Sequence, residues 1–219
     1  MDRTHRSLQI YFGTPKLNIS GKTNLMQYVN DYLDDLKRTL SRLDPDAIGT
    51  AVSWLREARE ADRMIFICGN GGSASIASQM IVDLVKGASY GMSVRFKAIG
   101  LVDSVSTITA YANDVSYDCI FLEQLRNYAR CEDILIAISG SGNSKNVLQA
   151  VEYANSIGCK TIALTRSGGG ELKSKARLTL AVPNTHMGRL EDCFFIMTHV
   201  IAYAFIEKAD HTKIKNDPL

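Results

Sequence analysis

The chain has 219 residues, 46% of them hydrophobic and 22% charged, with a formal charge of +2 at neutral pH. That length suits one domain with a full core, and the composition is globular rather than disordered. Lysines and arginines are scattered, with no basic run beyond Lys37-Arg38, so neither nucleic acid nor an anionic membrane is expected as a partner.

Cys68, Cys119, Cys131, Cys159 and Cys193 are odd in number, widely spaced and free of any C-x-x-C pair. They read as reduced thiols of a cytosolic protein rather than a disulfide framework or a zinc knuckle. The N-terminus carries no apolar leader, and no apolar stretch nears the ~18 residues that a membrane span requires, so a cytoplasmic location is expected.

In chain order, residues 1–20 lack periodicity and read as a flexible arm. Residues 21–210 are expected to form the one domain, with 211–219 as a tail. Leu25, Tyr28, Val29, Tyr32, Leu33, Leu36 and Leu40 recur at steps of three and four and predict an amphipathic helix over 24–43. A second helix is expected over 46–61, led by Asp44-Pro45. Strand and helix patterns then alternate. Strands are predicted over 64–68, 94–99, 134–138, 161–164 and 178–182, and helices over 73–86, 104–112, 120–128, 143–157 and 190–207. Short, wholly apolar strands separated by helices predict an α/β fold, a five-stranded parallel sheet flanked by helices as a three-layer α/β/α sandwich. The last helix is apolar almost all round, which calls for burial on every side, in this chain or against another.

Two strand-to-helix junctions carry the chemistry. One reads Gly69-Asn70-Gly71-Gly72-Ser73, the other Ser139-Gly140-Ser141-Gly142-Asn143-Ser144. A strand that breaks into small residues before a helix leaves several N–H groups unpaired and aimed together, which makes an anion site. The hydroxyls of Ser73, Ser139, Ser141 and Ser144 add donors without charge or bulk, so the expected guest is a phosphate. Right-handed crossovers place both junctions at the carboxyl edge of the sheet, on one crevice.

With these loops, Ala112-Asn113-Asp114, Ala163-Leu164-Thr165 followed by Gly168-Gly169-Gly170, Val182-Pro183 and the helix start Arg189-Leu190-Glu191-Asp192, residues 25–208 resemble the sugar isomerase (SIS) domain. Within it they are most similar to the phosphoheptose (sedoheptulose 7-phosphate) isomerase branch. The resemblance implies a single SIS domain, usually a homotetramer with active sites between subunits. It further implies that Ser139, Gly140, Ser141, Asn143 and Ser144 grip the phosphate, and that Asn70, Gly71, Gly72, Ser73 and Asp114 meet the sugar chain.

Aldose–ketose isomerisation moves a proton between C1 and C2 through an enediol and needs a base near carbon and an acid near oxygen. In the resembling isomerases a Glu after the first loop is the base and a His on the last helix the acid. Together with a second His and a Gln these also hold zinc. At the matching positions this chain is read as Asp83, Phe194, Gln79 and Glu191. Asp83 remains a carboxylate and is the expected base. Phe194 transfers no proton, so Glu191, or His186 in the preceding loop, is expected as the acid. His199 reads as a hydrogen-bonded core or interface histidine. With no His or thiolate in that set, no cofactor is expected and zinc is not. Two functions stand at this point: a phosphosugar isomerase, or a phosphosugar-binding sensor or recruiting protein that has lost turnover.

Overall fold

The computed structural model describes residues 22–207. The arm expected over 1–20 and the tail expected over 211–219 lie outside the described residues. In order, the elements are α1 (Lys22–Leu40), α2 (Pro45–Glu60), β1 (Met64–Gly69), α3 (Gly72–Val82), a π turn (Asp83–Gly87), β2 (Lys97–Gly100), α4 (Val105–Asp114), a 3-10 turn (Tyr117–Cys119), α5 (Leu122–Tyr128), β3 (Ile134–Ile138), α6 (Lys145–Ser156), β4 (Lys160–Arg166), α7 (Gly170–Lys175), β5 (Leu178–Val182) and α8 (Met187–Ile206).

All strand pairings are parallel, in the order β2-β1-β3-β4-β5, with Ile65 opposite Ile134 and Ile136 opposite Ile162. Successive strand residues point to opposite faces, which sorts the core into two halves. Ile65, Ile67, Ile136, Ile162 and Leu180 pack beneath α2, α3 and α8, whereas Phe66, Cys68, Leu135 and Ala163 pack beneath α5, α6 and α7. This is the expected α/β sandwich, and the order β1-β3 sets the two small-residue loops side by side at its carboxyl edge. No described helix is long and apolar enough to cross a membrane.

Several boundaries differ from expectation for identifiable reasons. The edge strand β2 begins at Lys97, not Val94, because the Phe96 N–H donates to the Ser89 hydroxyl instead of to the sheet. The helix expected over 73–86 becomes α3 and a wider turn, closed by the Ala88 N–H donating to the Asp83 carbonyl at 2.8 Å. Gly87 within that turn lets α8 approach so closely that a Cβ would press on Ile206 Cδ1.

Neither α1 nor α8 is covered all round. On α1, Leu25, Met26, Tyr28, Val29 and Leu33 are exposed, although Leu36 and Leu40 pack on the core. On α8, Leu190, Phe194, Met197, Ile201 and Phe205 face inward, while Val200 and Tyr203 stand open with Val82 and Val85 exposed on the neighbouring segment. The expected burial on every side is therefore not met within the described residues.

Candidate functional site

At the carboxyl edge, the loops after β1 and β3 and the first turns of α8 enclose a cleft of about 340 Å³. Asn70, Gly71, Gly72 and Ser73 form one wall, Ser139, Gly140, Ser141 and Ser144 another, and Met187 and Glu191 a third. The Ser139 Oγ lies 3.4 Å from Ser141 Oγ and 3.3 Å from Ser144 Oγ. Ser144 occupies the N-cap of α6, yet its side chain caps nothing, so its hydroxyl turns to Ser139 and the cleft rather than to the helix. The Gly142 N–H donates to Ser139 Oγ and the Asn143 N–H to Ser141 Oγ, each at 3.2 Å. Gly142 is held at φ +68°, and a Cβ there would collide with the Gly169 carbonyl oxygen. Only glycine permits this loop to close. On the opposite wall Gly71, at φ +56°, leads into α3 without any side-chain cap. Two uncapped helix starts and three converging hydroxyls suit a phosphate group.

Asn70 is held from below. Its Nδ2 donates to Asn146 Oδ1, its Oδ1 accepts from Asn146 Nδ2, and Tyr117 donates to that same Oδ1, all at 2.9 Å. Asn146 is buried, and this reciprocal pair ties the first loop to the start of α6. Glu191 closes the cleft from α8, its carboxylate so near Gly72 that a Cβ there would collide with it. Burial raises the Glu191 pKa, and the neighbouring Asp192 carboxylate adds to the rise.

The other expected site residues lie elsewhere. Asn143 turns away to accept the Glu171 N–H at 3.0 Å, capping the start of α7. Asp114, exposed at the end of α4, accepts from the Asn113 side chain at 2.8 Å. His186 is the N-cap of α8, its Nδ1 facing the Arg189 N–H at 3.5 Å and its ring edge-on to Tyr32 at 5.7 Å. Asp83 sits beyond the far end of α3, roughly 16 Å from Gly72 at 1.5 Å per residue.

At that far end Asp83 has a partner that the sequence reading assigned elsewhere. Its Oδ1 accepts from Gln79 Nε2 at 3.2 Å, while its Oδ2, buried and without a hydrogen bond, lies 3.6 Å from His199 Nε2. His199 is half-exposed between the rings of Phe195 and Tyr203. It borders a second cleft of about 440 Å³ with Val200, Tyr203, Ala204 and Glu207. Phe194 is fully buried in the core. The position matched to the family histidine is thus an inward-facing core residue, and the histidine that stands opposite Asp83 is His199. The helix period shows why: Phe194 shares a stripe with Leu190, Met197 and Ile201, whereas His199 lies off it.

The SIS domain pattern matches residues 27–166. The chain belongs to the SIS domain family. Within that SIS family it is 38% identical over 167 residues to the phosphoheptose isomerase of Helicobacter pylori (strain P12), covering 76% of this chain and 85% of that one. Among solved structures, the phosphoheptose isomerase from Francisella tularensis superposes with a TM-score of 0.77 at 30% identity, covering 84% of this chain and 98% of the other. That from Neisseria gonorrhoeae gives 0.77 at 28%, covering 84% and 99%.

Gln79, Asp83 and His199 supply one imidazole, one carboxylate and one amide, and Glu191 lies two turns of α8 away from His199. Among the described residues no three His, Cys, Asp or Glu side chains gather as a metal site. Within one chain these side chains bring together one imidazole and one carboxylate, fewer than the three protein ligands of that kind that a catalytic zinc takes.

Proposed function

We propose that this protein is an aldose–ketose isomerase of the phosphoheptose type, acting on sedoheptulose 7-phosphate or a sugar phosphate of similar length. The pairing of Asp83 with His199 is the observation that carries this reading. A carboxylate and an imidazole set against one another are the base and the acid that an enediol mechanism needs. Asp83 takes the proton from C1 of the ketose, and His199 delivers one to the C2 carbonyl oxygen. The enediol then regains a proton at C2 from Asp83, as the C1 hydroxyl gives up its own to His199. Proton count is conserved at every step.

The serine cradle holds the phosphate by N–H groups and neutral hydroxyls, and Asn70, Ser73 and Glu191 meet the hydroxyls nearest to it. The distance along α3 separates cradle from proton-transfer pair by more than the length of an extended heptose phosphate. One cradle is therefore completed by Asp83 and His199 of another copy, which accords with the open apolar faces of α1 and α8 and favours a homotetramer. Free cysteines fit a reducing compartment, and we place the protein in the cytoplasm. Burial pushes the Cys68 thiol up to about 12 and Cys193 to about 11, so neither serves as a nucleophile at neutral pH.

A non-catalytic sensor was the competing reading, resting on Phe194 in place of the acid. With His199 opposite Asp83 that ground is gone. The test is solvent-hydrogen exchange at C1 and C2 of sedoheptulose 7-phosphate. Exchange that is lost in Asp83→Asn, while phosphosugar binding persists, is the expected result. Binding of heptose, hexose and pentose phosphates with no exchange by the unaltered protein would overturn it in favour of the sensor.

A further inference from the structure

A third cleft, of about 650 Å³, opens outside the carboxyl ends of β4 and β5, on the side of the sheet covered by α1 and α8. Arg42 and Arg166 both line it, with Ser167, Asn184, Thr185 and Asp35. Arg166 is the last residue of β4, paired with Val182 at the end of β5, so its backbone is held in the sheet. Its Nε is buried without a hydrogen-bond partner. Among the described residues neither guanidinium meets a carboxylate within ion-pair distance, and the two share one cleft.

Asp35, the acidic residue in the lining, is already engaged. Arg189 lies 3.1 Å away, Arg38 3.2 Å away, and Asn184 donates to it at 2.9 Å. Its charge is thereby balanced, and the cleft keeps the two positive charges of Arg42 and Arg166. Lys173 adds a third cation at the rim, donating to the Ser167 carbonyl oxygen at 2.8 Å. The Ser167 and Thr185 hydroxyls make no hydrogen bond among the described residues. A buried guanidinium N–H left unpaired is costly, and it is satisfied most fully by an oxyanion that also engages its neighbours.

We infer that this cleft is a second anion site, distinct from the serine cradle, which takes a phosphate group, free or carried on a small metabolite. The two sites differ in kind. The cradle binds through backbone N–H groups and hydroxyls, whereas this site binds through guanidinium charge. The segment from Pro183 to Glu191 runs between them, with Asn184 and Thr185 on one side and Met187 and Glu191 on the other.

Calorimetric titration of the full chain with inorganic phosphate, and separately with glycerol phosphate, tests this. Two binding events per chain are expected. Ser141→Ala with Ser144→Ala should remove one, and Arg42→Gln with Arg166→Gln the other, which should also weaken steeply with added salt. Binding of inorganic phosphate alone, or of both ligands, tells a free ion from an ester. Arg42 is exposed, so Arg42→Gln on its own keeps the fold and should weaken the second event about tenfold. A single event in the unaltered protein, or a second one that survives both arginine changes, overturns the inference. So does a shift in sedimentation of the arginine variants with phosphate stoichiometry unchanged, the result if these arginines instead meet carboxylates of another copy.

Discussion

The two ends of the α3–α8 pair differ in what they need from outside the chain. At the carboxyl edge of the sheet, the cradle is assembled from neutral donors, pinned by Gly142 and by the Asn70–Asn146 amide pair, and its serines and glycines converge from two loops of one chain. At the other end, the mostly buried Asp83 carboxylate stands against a half-exposed His199, which borders an open cleft on α8. On the proposed function, recognition is built into the fold and turnover awaits a neighbour. A polar pocket made of backbone depends on strand order and glycine. A proton-transfer pair depends on two side chains, and those sit wherever two helices approach.

If this division is correct, the largest effects belong to the far end. Asp83→Asn and His199→Gln should each lower kcat by about 10²–10⁴, the usual contribution of a general acid or base, with phosphosugar affinity nearly unchanged. Mixing Asp83→Asn subunits with subunits altered at Ser141 and Ser144 should restore measurable activity, because some assembled sites then combine an intact cradle with an intact pair. Absence of any recovery in verified mixed oligomers breaks the division. Gly142→Ala should destabilise the chain by about 1–3 kcal/mol in denaturant titrations, through strain at a positive φ and collision with Gly169.

Effects confined to the cradle should be smaller. Ser144→Ala is expected to weaken phosphosugar binding by about 1.5–3 kcal/mol by calorimetry, the range for a hydrogen bond to a charged group, without altering stability as a lost helix cap would. Glu191 makes the pH dependence readable. Its pKa is raised, so it takes up a proton above the ordinary Glu range, and the repulsion between carboxylate and phosphate then falls. Relative to Glu191→Gln, affinity should rise as pH drops through that range, and the variant should show no such difference. By the same sign, the charged form opposes folding above the raised pKa. Glu191→Gln should therefore raise Tm at neutral pH and leave it unchanged in acid.

Most of the fold was legible because buried parallel strands read as continuous apolar runs, as in Ile134–Ile138, and the cradle because glycine and serine clustered after two of them. Elements that periodicity does not mark were not. The six residues of α7, Gly-Glu-Leu-Lys-Ser-Lys, carry one apolar side chain, and the π turn after Val82 leaves no trace in composition. The proton-transfer pair was half legible. Asp83 stands at the carboxylate position that the resemblance implies, but with Phe194 at the matched histidine position the acid is expected at Glu191 or His186, and His199 reads as a core or interface histidine. Which face of α8 meets Asp83 is set by how two helices pack, and neither helix alone encodes it. The capping of α7 by Asn143 and of α8 by His186 was also hidden, since these residue types serve caps and sites alike.

The amide pair beneath the first loop gives the cradle a polarity. Asn70 Oδ1 already accepts twice and Nδ2 already donates once, which leaves this residue one N–H to offer and no acceptor in its favoured directions. On the proposed function, a sugar oxygen above Asn70 is read by its lone pair, while a hydroxyl hydrogen finds its acceptor elsewhere in the cleft, at Glu191 or a serine hydroxyl. The handedness of the carbon that carries them then decides whether both demands are met together, which makes the bridge between two loops a filter for the configuration of the sugar.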